Sequence, residues 1–328
     1  MRPFRPIIAN THFLTTAGNF WPRKLDVERF PVESRLFRTE PDVQVRVDSQ
    51  RPQGEPRGQI VLVHGLEGSG ESGYMRSLSQ AGLEAGFVMR RFHMRTCGGT
   101  THLCRTLYHA GLTSDLLSVL RQLGQQDRAP VYLAGFSLGG NVVLKLTGEL
   151  GDEADGLIAG VCALCTPIDL AACVRRMGKL DNRLYERRFV RRMCERMIST
   201  GRYTQADFRG MRSLYDIDDK ITAPAFGFHG ADHYYATQSS NQFLDRIRVP
   251  TMVLQAQDDT FIPFEIFRHP AFQSNPFLTL VTPRHGGHLG FLSRVKPRFW
   301  LDEVILEWVE KGLERQQSGV GSEKCAGP

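Results

Sequence analysis

One short stretch near the middle of the chain constrains its fold more than any other. Residues 131–134 (VYLA) form an apolar run with the length and side-chain types of a buried strand. The pattern G-x-S-x-G follows at residues 135–139, and residues 141–146 (NVVLKL) suit a helix packed on a sheet. A strand, a sharp turn and a helix are the context in which this pattern lifts a reactive serine, here Ser137, above the carboxyl edge of a sheet.

Further apolar runs alternate with helical patterns along the chain. Strands are predicted at residues 60–63, 87–92, 157–164, 251–255 and 278–281. Helices are predicted at residues 74–84, 115–125 and from residue 300 to about residue 313. Polar and apolar residues alternate at 43–47, which predicts a half-exposed strand in an antiparallel hairpin with residues 35–39. Apolar strands alternating with helices predict a mostly parallel sheet covered on both faces.

The same patterns divide the chain into four parts. Residues 1–34 are expected to form an irregular arm over the body, residues 35–166 and 246–315 the α/β core, residues 167–245 a helical cap over the carboxyl edge of the sheet, and residues 316–328 a disordered tail. The candidate anchors of the arm are its large apolar side chains, namely Phe4, Ile7, Ile8, Phe13, Phe20 and Trp21.

The composition, 41% hydrophobic and 23% charged residues, is that of a globular protein. The longest nearly unbroken apolar run, residues 157–165, is too short for a membrane span, and the first ten residues lack the apolar region of a secretory signal. Seven cysteines form no disulfide framework, which favours free thiols and a cytoplasmic location. Cys162 and Cys165 lie three apart in an apolar strand and point to opposite faces, so neither a redox nor a metal role is expected.

Positive charge concentrates in one region. Residues 167–213 contain 12 Lys or Arg against 5 Asp or Glu, within a chain whose net charge is +6. The first interpretation is a solvated helix face whose arginine stems cover apolar neighbours. The second is attraction to anionic lipid head groups or to acidic acyl substrates. No nucleic-acid-binding motif accompanies the charge, so nucleic acid is not an expected partner.

Candidate partners for Ser137 follow two later strands. Asp258 and Asp259 come after the strand at 251–255, and His285 and His288 come after the strand at 278–281. Serine, acid and histidine in this order, each in a loop after a strand, are the arrangement that activates a serine hydroxyl. The residues alone choose neither between the two aspartates nor between the two histidines.

Backbone amides are the expected oxyanion donors. One is the amide of Leu138, directly after the nucleophile, and the other is the amide of Leu66, in the loop after the first parallel strand. His64 in that loop is interpreted as a structural imidazole. No group of side chains has metal-ligand spacing and no dinucleotide-binding glycine pattern follows a strand, so neither a metal nor a cofactor is expected.

Longer motifs make the chain resemble the α/β-hydrolase superfamily and, within it, the YheT-like hydrolase (carboxylesterase) family. The motifs are GFSLGGN at residues 135–141, HGLEGS at 64–69, R-x-C-G-G at 95–99, LYHAGLTSD at 107–115, TAPAFGF at 222–228, YY at 234–235, DDTFIP at 258–263 and HGGHLGF at 285–291. The segment NTHFLTT at residues 10–16 is similar to the family's arm but departs from it at Leu14, where a glutamine is common.

The resemblance implies roles that the residues alone leave open. It implies Asp259 as the acid and His288 as the base, with Asp258 and His285 as loop residues. Some relatives carry an N-terminal membrane anchor; the start of this sequence shows none, so membrane residence is not expected.

Together these patterns predict a serine hydrolase of carboxylic esters, short-chain or lipid-like, that acts through an acyl-enzyme. Acyl transfer to another alcohol would use the same residues, and a non-catalytic binding protein on this scaffold is a third hypothesis. A dehalogenase or epoxide hydrolase is disfavoured because Ser137 stands where those enzymes need a carboxylate. The expected partner is a small acyl ester, with peripheral contact to anionic lipid as a further hypothesis and no oligomeric state specified.

Overall fold

The computed structural model describes residues 1–125 and 129–317, and within them the strands form one sheet of eight in the order β1-β2-β4-β3-β5-β6-β7-β8. The strands are β1 (Glu33–Glu40), β2 (Val43–Gln50), β3 (Gln59–Val63), β4 (Val88–Phe92), β5 (Val131–Phe136), β6 (Gly160–Leu164), β7 (Thr251–Leu254) and β8 (Leu278–Val281). β4, β3, β5, β6, β7 and β8 pair in parallel, and β2 is antiparallel to both of its neighbours. The mostly parallel sheet and the antiparallel hairpin are confirmed.

The helices that connect successive parallel strands up to β6, together with the helix after the last strand, cover the two faces of the sheet, and a further group of helices lies between β6 and β7. The helices are α1 (Thr11–Phe20), α2 (Gly73–Glu84), α3 (Ser114–Gly124), α4 (Leu138–Leu150), α5 (Leu170–Met177), α6 (Arg183–Ser199), α7 (Leu214–Ile217), α8 (Ala223–Ala225), α9 (Ala231–Gln238), α10 (Ala271–Ser274) and α11 (Trp300–Gln317). Residues 167–245 thus fold largely as the helices α5 to α9, with a π-helical turn, Asp218–Thr222, between α7 and α8.

Successive residues of the central strands contribute to two separate apolar clusters. Val61 and Val63 of β3 belong to one cluster with side chains of α3 and α4. Ile60 and Leu62 belong to the other, with side chains of α2 and α11. Because neighbouring residues of a strand point to opposite faces, both faces of the sheet are buried under helices. A strand buried on both faces reads as a continuous apolar run, which is why these strands were predictable.

The strand predicted at residues 157–164 is shorter than expected. It begins only at Gly160, because the amides of Leu157 and Ile158 donate to the carbonyl of Ala154 at 3.1 and 2.9 Å. These bonds close a turn after α4 and take both residues out of the strand. Their apolar side chains made the turn look like part of the strand.

The prediction of an irregular arm at residues 1–34 is wrong in part, because it contains α1. Asn10 caps this helix by accepting the amide of Phe13 at 2.9 Å. Phe4 is an anchor as predicted, since its ring contacts those of Phe291 and Trp300. Phe20 is 61% exposed and does not anchor the arm, whereas the buried apolar residues of this segment are Leu14, Leu25 and Phe30.

The end of the chain also differs from its prediction. Helix α11 continues through Gln317, so residues 316 and 317 are helical where a disordered tail was expected. The rest of that predicted tail, residues 318–328, lies outside the described residues. Among residues 1–125 and 129–317, none of the helices combines the length and hydropathy that crossing a bilayer requires.

Candidate active site

Ser137 lies at the carboxyl edge of the sheet, between β5 and α4. Its φ of 52° and ψ of −120° are strained for a residue with a side chain. Its amide donates to the carbonyl of Leu164 at 2.8 Å, which ties the turn to β6. A Cβ at Gly135 would collide with the backbone of Gly139, and one at Gly139 with that of Val63. The glycines of G-x-S-x-G are therefore required by close backbone approach, and the packed backbone holds the serine in its strained conformation.

The structure brings Asp259 and His288 to this serine. Nε2 of His288 lies 2.9 Å from Oγ of Ser137, and Nδ1 lies 2.9 Å from Oδ2 of Asp259. A carboxylate can only accept, so the proton sits on Nδ1 and Nε2 accepts from the Ser137 hydroxyl. This arrangement can pass the serine proton to the imidazole while a buried anion stabilises the imidazolium that forms.

The carboxylate of Asp259 is held on both oxygens. Oδ1 accepts the amides of Phe261 and Ile262 at 2.8 and 3.2 Å, and Oδ2 accepts Nε2 of Gln255 at 3.1 Å. Its side chain is 0% exposed. Donors from the polypeptide compensate for the loss of water and stabilise the charged form. The loop after β7 therefore presents an oriented anion to His288.

The other aspartate and histidine of these loops, Asp258 and His285, form a separate pair. Nδ1 of His285 lies 3.1 Å from Oδ2 of Asp258, and Oδ1 of Asp258 accepts the amide of Gly287 at 2.9 Å. His285 is 41% exposed, and no contact joins this pair to Ser137 within the described residues. Asp258 therefore connects the loop after β7 to the loop that carries His288.

The two residues expected to supply the oxyanion donors lie beside the serine. Leu66 and Leu138 line the same cavity as Ser137 and His288. The loop of Leu66 passes so close that a Cβ at Gly65 would lie 3.1 Å from Cβ of Ser137. In the part of the chain that the structure describes, neither amide donates to a protein acceptor. Both N–H groups can therefore bind a developing oxyanion.

His64 is a structural imidazole, as interpreted from the sequence. Its Nδ1–H donates to the carbonyl of Gly65 at 2.8 Å, and its Nε2 accepts the amide of Met94 at 3.2 Å. Complete burial lowers its pKa to about 3. The neutral ring therefore links the loops after β3 and β4 and has no nitrogen left for proton transfer at Ser137.

A mostly apolar cavity of about 110 Å³ opens onto Ser137. One wall comes from the core, and the other comes from α5, α6 and the segment that follows them. The apolar side chains of that second wall are Leu170, Val174, Met177, Phe189, Met193, Met197 and Leu214. The aromatic stretch of residues 226–235 supplies Tyr234 and Tyr235 to the lining. The cavity can hold an apolar chain attached to a carbonyl carbon at Ser137.

Thr15 of α1 is a contact of the site that sequence reasoning missed. Its hydroxyl accepts the amide of His288 at 2.9 Å, and the Thr11 hydroxyl donates to the carbonyl of Asp258 at 2.6 Å. A Cβ at Gly287 would lie 2.6 Å from Oγ1 of Thr15, so the helix packs directly on the histidine loop. The threonines of the NTHFLTT motif were the available signal, but nothing local showed where they would dock.

Asn141 is a second such contact. From α4 its amide nitrogen donates to the carbonyls of Ala110 and Gln238, both at 2.9 Å, and its side-chain oxygen accepts the amide of Ser240 at 2.8 Å. It is fully buried. The final residue of GFSLGGN therefore joins the helix behind the nucleophile to two more distant segments, and a polar residue inside an apolar helix was its only sequence signal.

One group of side chains meets a distance criterion for metal binding. Sγ of Cys165 and ligand atoms of Asp259 and His288 lie within 4.8 Å of one another. Burial raises the pKa of the Cys165 thiol well above its usual value, so this sulfur is protonated and a poor ligand. Asp259 and His288 are also hydrogen-bonded to each other, and His288 is hydrogen-bonded to Ser137. The donor set therefore fits a proton relay better than a metal site.

Comparisons with known proteins agree with this geometry. Residues 60–299 match the model of the Alpha/beta hydrolase family. The protein YheT of Escherichia coli (strain K12), named as an esterase, is 29% identical over 317 residues, which cover 93% of this chain and 92% of YheT. Phospholipase ABHD3 of Mus musculus is 25% identical over 332 residues, with 94% of this chain and 80% of ABHD3 covered.

Solved structures show the same fold. The esterase Pf2001 of Pyrococcus furiosus superposes with a TM-score of 0.58 at 16% identity, over 88% of this chain and 98% of the esterase. At this identity the likeness concerns the fold, whereas the family match rests on sequence over most of the chain. The chain therefore belongs to the alpha/beta hydrolase family, as a YheT-like protein.

Proposed function

We propose that this carboxylic ester hydrolase cleaves short-chain or lipid-like acyl esters through an acyl-enzyme formed on Ser137. His288 acts as general base and acid, Asp259 orients it, and the amides of Leu66 and Leu138 bind the oxyanion. The observation that carries the proposal is the unbroken hydrogen-bond chain from Asp259 through His288 to Ser137.

The first half of the reaction acylates the serine. Nε2 of His288 takes the hydroxyl proton while Oγ of Ser137 attacks the ester carbonyl carbon. The carbonyl oxygen gains a negative charge, which the amides of Leu66 and Leu138 stabilise. The intermediate then expels the alkoxide, which leaves as the alcohol after taking the proton from His288.

The second half releases the acid. His288 takes a proton from water, the resulting hydroxide oxygen attacks the acyl carbon, and the bond to Oγ breaks as Ser137 recovers its proton from the imidazolium. An alcohol in place of water would give transesterification, the alternative that the sequence left open. Adding graded concentrations of a competing alcohol and analysing the products separates hydrolysis from acyl transfer.

The cavity supports an acyl ester as substrate, because its lining is mainly aliphatic and sulfur-containing side chains. We assign residues 167–245 to a cap, since α5 and α6 supply much of the wall opposite Ser137. The core would then be residues 35–166 and 246–315, with residues 1–34 as the arm. A phospholipase and an esterase among the relatives are consistent with acyl esters of this kind.

A fluorophosphonate probe tests the nucleophile. We expect it to label the wild-type protein and not Ser137→Ala, because only an activated serine hydroxyl displaces fluoride. Aryl esters of graded acyl length should show a preference that shifts when a cavity residue such as Met193 is changed to Ala. Absence of labelling in a folded wild-type protein would overturn the proposal.

The outer face of α6 supports a contact with anionic lipid. Arg183, Arg187 and Arg191 are exposed there, beside Leu184 and Leu180, which are 79% and 85% exposed. Exposed leucines among arginines suit a surface of anionic head groups. Binding to vesicles containing phosphatidylglycerol should exceed binding to neutral vesicles and should fall when Arg183, Arg187 and Arg191 are changed together to Gln. Equal binding to both vesicle types would exclude this contact.

A further inference from the structure

The loop that carries the Leu66 amide contains a strained residue. Glu67 has a φ of 54°, in the left-handed region that residues with side chains rarely adopt. It directly follows Leu66, so its conformation sets the direction of the peptide chain next to the candidate oxyanion donor. Such a conformation persists only where surrounding contacts hold it.

The side chain of Glu67 is held by a charged network. Nε of Arg196 donates to both carboxylate oxygens at 2.9 and 3.0 Å. The Tyr108 hydroxyl accepts the Glu67 amide at 2.9 Å and donates to Oε1 at 3.2 Å. The Glu67 side chain is 4% exposed and that of Arg196 is 10% exposed. The pair is therefore shielded from solvent, and its geometry is fixed by several bonds at once.

Helix α6 supplies a further contact to the same residue. The guanidinium of Arg192 donates to the carbonyl of Glu67 at 2.7 Å, and Nη1 of Arg196 donates to the Thr96 hydroxyl at 2.8 Å. The arginines of α6 thus form two sets. Arg192 and Arg196 contact the loop, whereas Arg183, Arg187 and Arg191 are exposed on the outer face. Arg192 is itself exposed, so among these residues the interpretation of a solvated arginine face fails only for Arg196.

We propose that Glu67 and Arg196 are positioning residues that hold the Leu66 amide against the oxyanion, so that helix α6 of the cap controls turnover at Ser137. This inference rests on the proposed function. Glu67 directly follows the oxyanion donor and is held by Arg196. Arg196 lines the same cavity as Ser137, but neither member of the pair hydrogen-bonds Ser137 or His288 in the described residues. Its loss would let the strained turn relax and would move the Leu66 N–H away from the developing charge.

Arg196→Gln tests the proposal with a short aryl ester such as p-nitrophenyl acetate. We expect kcat to fall roughly 10- to 100-fold, a part of what complete loss of an oxyanion donor costs, and KM to change less than about twofold. The affinity for an alkylboronic acid, which forms a charged tetrahedral adduct on the serine, should fall in parallel with kcat. Arg196→Lys should recover part of both losses, because it restores the charge without the forked geometry.

Arg188→Gln is the matched control. It removes an arginine from the same helix, but Arg188 is exposed, lies over the ring of Phe20 at 5.0 Å, and contacts neither Leu66 nor Glu67 among the described residues. We expect it to leave kcat and boronate affinity unchanged. Thermal unfolding of each variant separates a local change in the loop from loss of the fold.

Two results would overturn the inference. One is an Arg196→Gln protein with unchanged kcat; the other is a raised KM at unchanged kcat, which would make Arg196 a substrate contact. If Arg196→Gln does not fold, Tyr108→Phe is measured instead. It removes only the hydroxyl that hydrogen-bonds Glu67, and it must also lower kcat, by a smaller factor. A wild-type protein without Ser137-dependent activity would instead contradict the proposed function, so the two failures are distinguishable.

Discussion

Two aspartate–histidine pairs, built from the same two loops, differ in what surrounds them. Asp258 and His285 are 22% and 41% exposed and lie 3.1 Å apart. Asp259 and His288 are 0% and 9% exposed and lie 2.9 Å apart. The separation within each pair is nearly the same. The other ring nitrogen of His288, Nε2, is hydrogen-bonded to Oγ of Ser137, whereas the ring of His285 is exposed to solvent.

The difference teaches that burial and further partners, and not the hydrogen bond between aspartate and histidine itself, give such a pair its chemistry. Asp259 receives two backbone amides and a glutamine amide, so its charge is maintained without water. Asp258 uses its second oxygen to bind the amide of Gly287, next to His288. One pair is thus suited to proton transfer, and the other to fixing the loop on which the first depends.

Replacing the histidines should give the largest contrast. His288→Ala should lower kcat/KM on the order of a millionfold, because serine then lacks the base that acts together with it. His285→Ala should cost less than about tenfold, since His285 is half-exposed and a partly solvated contact with Asp258 contributes little. Steady-state hydrolysis of an aryl ester measures both. A comparable loss in the two variants would remove the distinction between the pairs.

Replacing the aspartates should give a smaller contrast in the same direction. Asp259→Asn should lower kcat about ten-thousandfold, because an amide donor facing Nδ1 favours the wrong tautomer of His288. Asp258→Asn should cost far less, since the asparagine oxygen can still accept the Gly287 amide. Turnover and unfolding temperature should be measured for both. The reverse ranking would make Asp258 the relay acid.

The smallest effect is expected where α1 supports the histidine loop. Thr15→Val removes the acceptor of the His288 amide, a hydrogen bond worth about 1 kcal/mol. Because this bond holds the loop that positions His288 for proton transfer, we expect kcat to fall by up to roughly fivefold, the equivalent of that energy. Thr16→Val makes the same change one residue later, where the hydroxyl contacts Tyr185 at 3.2 Å and not His288. Turnover of the two variants is the measurement. Equal losses would show that α1 acts only through general packing.

Much of the fold was readable from local patterns. The strand predicted at residues 278–281 coincides with β8, and the one at residues 60–63 lacks only the first residue of β3. β3 was recognisable because a strand buried on two faces is apolar throughout its buried length. β8 is an edge strand with Thr279 exposed, and its short, mostly apolar run was the signal. The helix Thr11–Phe20 was not recognisable, because its stability depends on distant contacts. A Cβ at Gly18, for example, would lie 2.6 Å from Cα of Gly290.

Only the outline of the candidate site could be predicted from the sequence. The order of serine, acid and histidine followed from strands and loops, but Asp258 and Asp259 are chemically identical and adjacent. The family resemblance implied Asp259, and the fold of the loop shows that this carboxylate turns inward. Likewise, the arginine pattern of α6 did not reveal that Arg196 reaches Glu67, 129 positions away in sequence. Contacts between residues so far apart leave no local signal.

The sequence by itself determined the parallel sheet, the strained serine turn and the set of residues from which a relay could be built. These features follow from apolar periodicity and from glycines at fixed offsets, which act over a few residues. The tertiary structure decided which aspartate and histidine join Ser137, and how α1 and α6 brace the loops around it. That choice depends on burial and on hydrogen bonds between distant segments, which exist only once the chain has folded.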